Sequence, residues 1–134
     1  MPVVDASVCV ALFHAEDSAH PASRRWLAER QGEEEPIVAP VILLAEVAAA
    51  LSRGVGDPNL AREAVRLLRG RQLVELFPVT DTLIARAADI ATELKIRGCD
   101  SIYVALARQL EMELVTEDGQ QLERGAAVIA TRRP

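Results

Sequence analysis

Aromatic and lysine side chains are scarce in this sequence. Four residues are aromatic, Phe13, Trp26, Phe77 and Tyr103, so any platform on which nucleic-acid bases could stack is sparse. Lys95 is the single lysine, and the other 14 of the 15 basic residues are arginines, set against 20 acidic residues. The formal net charge of -5 therefore argues against a broad basic face, although it leaves room for a local basic patch.

Long apolar runs and paired cysteines are also missing. No stretch reaches the roughly 18 apolar residues that cross a membrane, and no basic segment precedes an apolar one at the start of the chain. We therefore expect a cytoplasmic protein without a membrane partner. The cysteines Cys9 and Cys99 form no disulfide framework and no zinc-type spacing with His14 or His20, so we expect both to be buried free thiols.

What the sequence does contain is apolar material arranged for a layered fold. With 134 residues, 50% of them hydrophobic, the chain has the size and the core of one domain over residues 1–134. Short strand-like runs alternate with helical patterns: the strand candidates are "PVVD", "IVA", "LVELFPV", "ELVT" and "AAVIA". This alternation predicts an α/β layer fold around a mostly parallel sheet.

Several helix predictions bear on where a site could form. Pro40 suits the first turn of the helix "VILLAEVAAALS", which is apolar on every side and is therefore predicted to be buried. Asp57 is placed to cap a following helix. In "TDTLIARAADIATELK", the helical spacing puts Leu83 and Ile84 on the face directed to the core.

Four acids lie beside or within apolar segments that are predicted to be buried, where a charged side chain is unfavourable. Asp5 closes the first strand and Asp118 follows the fourth, while Glu46 is the single charged residue of an otherwise apolar helix and Asp100 precedes another apolar helix. Ligand crevices of open α/β sheets form outside the carboxyl ends of the strands. We therefore expect these four carboxylates to meet at one edge of the sheet.

A cluster of carboxylates has two physical consequences. Hard cations such as Mg2+ take oxygen ligands and are held by a few carboxylates plus waters, so Asp5 and its partners could bind one or two ions. Ser7 and Thr116, each two residues from an acid of the set, are placed to hydrogen-bond and orient those carboxylates. Without metal, mutual repulsion is expected to raise at least one pKa of the cluster.

Each acid also has a purely structural interpretation. Asp5 and Asp100 could cap the helices that follow them, and Asp118 could serve as a turn residue before Gly119. Glu46 could pair with one of the arginines.

Two other catalytic classes fit the residues less well. A receiver-type phosphorylation domain needs a lysine near its acid, but Lys95 lies inside a helical pattern. A DxD-type phosphohydrolase needs an acid at position 7, which is Ser7 here, and the sequence has no GxGxxG motif and no P-loop.

Four short motifs, taken together and in this order, resemble the PIN domain family and within it the small VapC-type toxins of toxin–antitoxin pairs. They are "VVDAS", "LAEVAAAL", "RGCDSIYVALA" and "LVTEDGQQL", and they span nearly the whole chain. The resemblance implies a PIN-like three-layer α/β/α sandwich with a mostly parallel central sheet. It also implies a Mg2+- or Mn2+-dependent endoribonuclease, usually a homodimer, that is silenced by a cognate antitoxin.

The resemblance assigns roles to residues of this sequence. The family's acidic quartet, which is catalytic and metal-binding, falls on Asp5, Glu46, Asp100 and Asp118. Ser7 and Thr116 occupy its auxiliary polar positions. A cation held there would activate a water for in-line attack on an RNA phosphodiester. The alternative is a non-catalytic PIN-like module that keeps the fold for protein binding.

Overall fold

The structure, a computed structural model, describes residues 1–70 and 72–134. Within these ranges five short strands form one sheet in which all neighbouring strands are parallel: Val3–Val4 (β1), Val38–Pro40 (β2), Glu75–Phe77 (β3), Leu114–Val115 (β4) and Thr131–Arg132 (β5). The strand order is β3-β2-β1-β4-β5. Val3 lies beside Val38 on one side and Leu114 on the other, so β1 is the central strand.

Helices connect these strands in the order that the sequence pattern predicts. They are Ala6–Phe13 (α1), His20–Gly32 (α2), Leu43–Ala49 (α3), Pro58–Arg69 (α4), Asp81–Leu94 (α5), Gly98–Leu110 (α6) and Gly119–Gly125 (α7). A π-helical turn, Ala50–Gly54, continues α3. Asp57 caps α4 by accepting from the Leu60 backbone N–H at 2.9 Å. The predicted fold, an α/β/α sandwich around a parallel sheet, is confirmed.

Helix α6 forms the centre of the packing and brings a polar first turn to the sheet edge. Its residues 100–107 are all buried, and it packs against β1, β2 and β4. The core that it completes is aliphatic apart from Cys9, Trp26 and Tyr103. Because α6 packs against three strands along its buried length, Asp100 in its first turn is held next to the ends of β1 and β4.

Two predictions about backbone structure are wrong. The run "AAVIA" is not a strand, because the N–H groups of Val128 and Ile129 both bond to the Gly125 carbonyl and close a turn after α7. The last strand instead begins at Thr131. Pro40 does not open a helix but ends β2.

Three predictions about burial also need correction. Helix α3 is not buried on every side, since Ala45 and Ala49 are exposed where they line the cavity described below. Ile84 is 44% exposed, although Leu83 is buried as expected. Cys9 is buried but Cys99 is exposed. In the described ranges, no helix combines the length and the apolar character that a membrane crossing requires.

Candidate functional site

A cavity of about 580 Å3 opens where β1 and β4 end. Six acids line it: Asp5, Asp17, Glu46, Asp100, Glu117 and Asp118. All four acids singled out from the sequence are therefore among its lining residues, and so is Ser7. Thr116 lies fully buried and contacts Asp5. The apolar part of its lining includes Ala6 and Val10 of α1 and Ala45 and Ala49 of α3.

Asp5 is the most tightly held of the acids. Its side chain is 2% exposed and accepts hydrogen bonds from the Ser7 hydroxyl at 2.5 Å, the Thr116 hydroxyl at 2.6 Å and the Gln121 amide at 2.8 Å. The Val8 N–H adds a longer contact of 3.4 Å. These four donors replace the water that the carboxylate loses on burial.

Ser7 and Thr116 also tie the two strand ends together. The Ser7 hydroxyl accepts from the Glu117 N–H and the Thr116 hydroxyl accepts from the Asp118 N–H, each at 2.9 Å. The loop after β4 is therefore fixed to the Asp5 carboxylate through two hydroxyl groups. The Thr116 hydroxyl thus links the side chain of Asp5 to the backbone of Asp118.

Burial raises the pKa of Asp5 from 3.8 to about 6. Hydrogen bonds from Ser7, Thr116 and the Val8 N–H oppose this rise, and the charge of Asp100 adds to it as the smallest of the causes. The expectation of a raised pKa is thus confirmed, but its expected cause is wrong. Loss of solvation outweighs repulsion between the carboxylates.

Glu46 faces the cavity from α3 and is held by a tyrosine. The Tyr103 hydroxyl donates to Glu46 Oε1 at 2.5 Å, and Tyr103 itself is 1% exposed. Burial raises the pKa of the Glu46 carboxyl, while the hydrogen bond from Tyr103 lowers it. The hydrogen-bond partner of Glu46 is therefore a phenol rather than an arginine. One carboxylate oxygen is fixed and the other is left to the cavity.

Asp100 and Asp118 share one arginine. Arg97 Nε donates to Asp100 Oδ2 at 2.8 Å, and Arg97 Nη2 donates to Asp118 Oδ2 at 2.9 Å. Burial raises the pKa of Asp100, and the adjacent Arg97 guanidinium opposes that rise. The Arg97 guanidinium thus bridges two carboxylates, one in α6 and one at the N-cap of α7.

The capping interpretation holds for two of the acids. Asp5 is the N-cap of α1, and Asp118 is the N-cap of α7, where it accepts from the backbone N–H groups of Gln120 and Gln121 at 2.8 and 3.1 Å. Asp100 is not a cap, because it lies inside the first turn of α6, with Arg97 at the N-cap position. Capping and lining the cavity are compatible, since helix N-termini point to the same edge as the strand ends.

The acids do not form a ready-made metal cluster in this conformation. Within residues 1–70 and 72–134, no three His, Cys, Asp or Glu side chains converge closely enough to hold a metal ion. Both oxygens of Asp5 accept hydrogen bonds, and Arg97 takes one oxygen each from Asp100 and Asp118. The donor set nevertheless fits a hard divalent cation, because it consists of four carboxylates around one cavity.

Sequence reasoning missed three residues of this site. Arg97 and Tyr103 flank Asp100 at spacings of three residues, which place side chains on one helix face, so that spacing was an available signal. Gln121 had no such signal: it is 1% exposed, and nothing in the described residues pairs with its Oε1.

The fold and the site define a parallel α/β domain with an acidic cavity at the carboxyl edge of its sheet. The model of the family described as "PIN domain" matches residues 3–127. The chain belongs to the PIN domain family, which confirms the family resemblance of its four motifs. Among curated proteins, no sequence matches the chain.

Solved structures share the fold at low sequence identity. VapC20 of Mycobacterium tuberculosis, described as a sarcin-ricin loop cleaving toxin, has 22% identity and a TM-score of 0.81, with 100% of both chains covered. A DNA-bound VapBC from Salmonella typhimurium has 14% identity and a TM-score of 0.71, covering 99% of this chain and 98% of that one. VapBC2 from Rickettsia felis, bound to a promoter DNA fragment, has 16% identity and a TM-score of 0.70, covering 98% and 97%.

Proposed function

We propose that this protein is a Mg2+- or Mn2+-dependent endoribonuclease that hydrolyses RNA phosphodiester bonds. One observation carries the proposal: Asp5, Glu46, Asp100 and Asp118 reach a single cavity from four separate segments of the chain. Membership of the PIN family and a fold shared with a sarcin-ricin loop cleaving toxin support the same activity.

The chain's own residues divide the work of such a site. Asp5, Asp100 and Asp118 would hold the cation, and Glu46, fixed through one oxygen by Tyr103, would bind it or orient a water with the other oxygen. A bound cation would activate that water and stabilise negative charge on the phosphate and the leaving oxygen. No side-chain nucleophile is required.

Ser7 and Thr116 act through Asp5 in this scheme. Their hydroxyls donate to Asp5 from both sides and leave it one orientation, which is the usual task of groups behind a metal ligand. We include Gln121 with them, because its amide donates to the same Asp5 oxygen as Thr116 does.

We further propose that the protein is the toxin of a type II toxin–antitoxin pair, a cytoplasmic homodimer inhibited by its cognate antitoxin. One structure that shares its fold is a toxin–antitoxin complex from Klebsiella pneumoniae, and two others are VapBC assemblies bound to DNA. A cavity with six acids is also a natural dock for an arginine or lysine side chain of such a partner, because a guanidinium pairs with carboxylates bidentately.

Cleavage of a structured RNA pool tests the activity. We expect fragments when the purified protein is incubated with Mg2+ or Mn2+, and intact RNA in excess EDTA. Cleavage that persists in EDTA would contradict the metal mechanism. Absence of both cleavage and Mn2+ binding would favour the non-catalytic protein-binding module.

A further inference from the structure

Arg97 is positioned like a counterion of the candidate metal ligands. It stands at the N-cap position of α6, and its guanidinium donates to Asp100 Oδ2 at 2.8 Å and to Asp118 Oδ2 at 2.9 Å. The two acids belong to different helices, so a single side chain draws together two of the four carboxylates. A divalent cation bound to the same carboxylates would compete with Arg97 for them, because the guanidinium occupies Oδ2 of each.

Arg97 is also the one basic side chain among the described residues that line the cavity, against six acidic ones. An RNA phosphate entering this cavity would meet a strongly anionic surface. A bound cation offsets part of that charge, and Arg97 is the cavity's own source of positive charge.

The backbone of Arg97 is fixed while its side chain lies exposed at the mouth of the cavity. Its carbonyl accepts from the Ser101 N–H at 2.9 Å, and the preceding Ile96 is 5% exposed and belongs to the core. The Arg124 guanidinium donates to the Lys95 carbonyl on the same turn. The Arg97 side chain is 69% exposed, so it can change partners without leaving the mouth of the cavity.

We infer that Arg97 alternates between two anionic partners. In the metal-free protein it bridges Asp100 and Asp118, and when a divalent cation binds these acids, Arg97 releases them and its guanidinium contacts the substrate phosphate. The inference rests on the proposed nuclease function and adds a substrate-binding residue to it.

The energetics permit this exchange. The Arg97 side chain is 69% exposed, so water screens its ion pairs from the arginine side and weakens them, although the side chains of Asp100 and Asp118 are only 11% and 23% exposed. Releasing these ion pairs therefore costs less free energy than a divalent ion gains by binding the two carboxylates. The planar guanidinium fits a phosphate as well as it fits a carboxylate, because it presents paired donors to two oxygens.

Mn2+ titration by calorimetry tests the first half. We expect Arg97→Gln to lower the Mn2+ dissociation constant about threefold to tenfold, the scale of two ion pairs made by an exposed arginine. Arg133→Gln is the matched control: Arg133 is 59% exposed and pairs at 3.4 Å with Glu117, a cavity acid outside the proposed ligand set. It should change the dissociation constant by less than about twofold, since it removes the same charge without freeing a ligand.

Steady-state RNA cleavage at saturating Mn2+ tests the second half. With the metal site filled, Arg97→Gln should raise KM about tenfold, because it removes a charge-assisted contact to the phosphate. Arg97→Lys should recover part of the loss, since it keeps the charge but not the fork of donors. Arg133→Gln should keep the KM of the wild type. Thermal melts of each variant establish that the fold is intact.

The outcomes separate this inference from the proposed function. Equal Mn2+ affinity in the Arg97→Gln and Arg133→Gln variants, or an unchanged KM in Arg97→Gln, would overturn the role of Arg97 while the nuclease proposal stands. Failure of the wild-type protein to bind Mn2+ and to cleave RNA would overturn both.

Discussion

Replacing Asp5 by asparagine should stabilise the metal-free protein at neutral pH. Asp5 is 2% exposed, and burial raises its pKa from 3.8 to about 6. The folded state therefore binds more protons than the unfolded state between these values. Asp5 favours folding at low pH, and this contribution is lost as the pH rises through 6. A shift of about 2 units corresponds to about 3 kcal/mol of lost stability above pH 7.

Asparagine removes the charge and keeps the shape. Its amide can still accept from Ser7 and the Val8 N–H, but its NH2 group faces Thr116 and Gln121, both of which now donate. The Thr116 hydroxyl can rotate, and the Gln121 amide can turn so that its Oε1, which has no partner within the described residues, accepts instead. We therefore expect a net gain of about 2 kcal/mol at pH 7.5, or roughly 6–8 °C in Tm.

Urea unfolding in EDTA at pH 7.5 and pH 5 is the measurement. The cost of ionising Asp5 falls from about 3 kcal/mol at pH 7.5 to about 1.6 kcal/mol at pH 5, so the advantage of Asp5→Asn should fall from about 2 to about 0.6 kcal/mol at the lower pH. Asp57→Asn is the control, because Asp57 is also a helix N-cap but lies on α4. Asparagine and aspartate cap helices about equally well, so we expect a change within about 0.5 kcal/mol. If the Asp5→Asn protein is less stable than the wild type at pH 7.5, this reasoning is refuted, and the Asp5 carboxylate stabilises the fold.

Two further substitutions test the packing around the site. Tyr103→Phe should cost about 1 kcal/mol, because it leaves Glu46 without its buried donor, and it should slow RNA cleavage without altering the fold; urea melts and cleavage rates check both. Gly125→Ala should cost about 1 kcal/mol in a thermal melt, because the new Cβ would lie 3.2 Å from Thr131 Cγ2. Gly32→Ala is the control and should be neutral or slightly stabilising, because its new Cβ meets nothing within 4 Å.

The sequence located the acids because parallel sheets follow a simple rule. Asp5 and Asp118 come directly after the central strands β1 and β4 or within three residues of them, and the carboxyl ends of such strands share an edge. An acid placed after a strand can therefore be assigned to that edge without coordinates. Glu46 was found for a different reason, its isolation in an apolar helix.

The partners of these acids depend on packing that a sequence pattern does not encode. Tyr103 reaches Glu46 across 57 residues, and Gln121 reaches Asp5 across 116. Both contacts exist because α6 and α7 pack beside the sheet. Repulsion is the cause that the sequence suggests for a raised pKa in the cluster, whereas burial is the main cause at Asp5, and this burial depends on the same packing.

Local hydrogen bonding explains the failure at the last strand. The residues of "AAVIA" have strand-like composition, but the turn closed on Gly125 takes the N–H groups of Val128 and Ile129. Pairing with β4 starts only afterwards, at the Ala130 carbonyl. Composition predicted that a strand exists near the end of the chain, and the turn decided where it begins.

Cleavage rates for substitutions at the six cavity acids test the central claim most directly. In the proposed site the reaction depends on Asp5, Glu46, Asp100 and Asp118. Asp17 and Glu117 have no role in it, although both line the same cavity. Under single-turnover conditions in Mn2+, the amide variant of each acid in the quartet should lose at least about 100-fold in rate, since even groups behind a metal ligand can cost that much. Asp17→Asn and Glu117→Gln should stay within about threefold of the wild type. Equal losses at all six acids, or wild-type rates in the quartet variants, would contradict a site built on these four carboxylates.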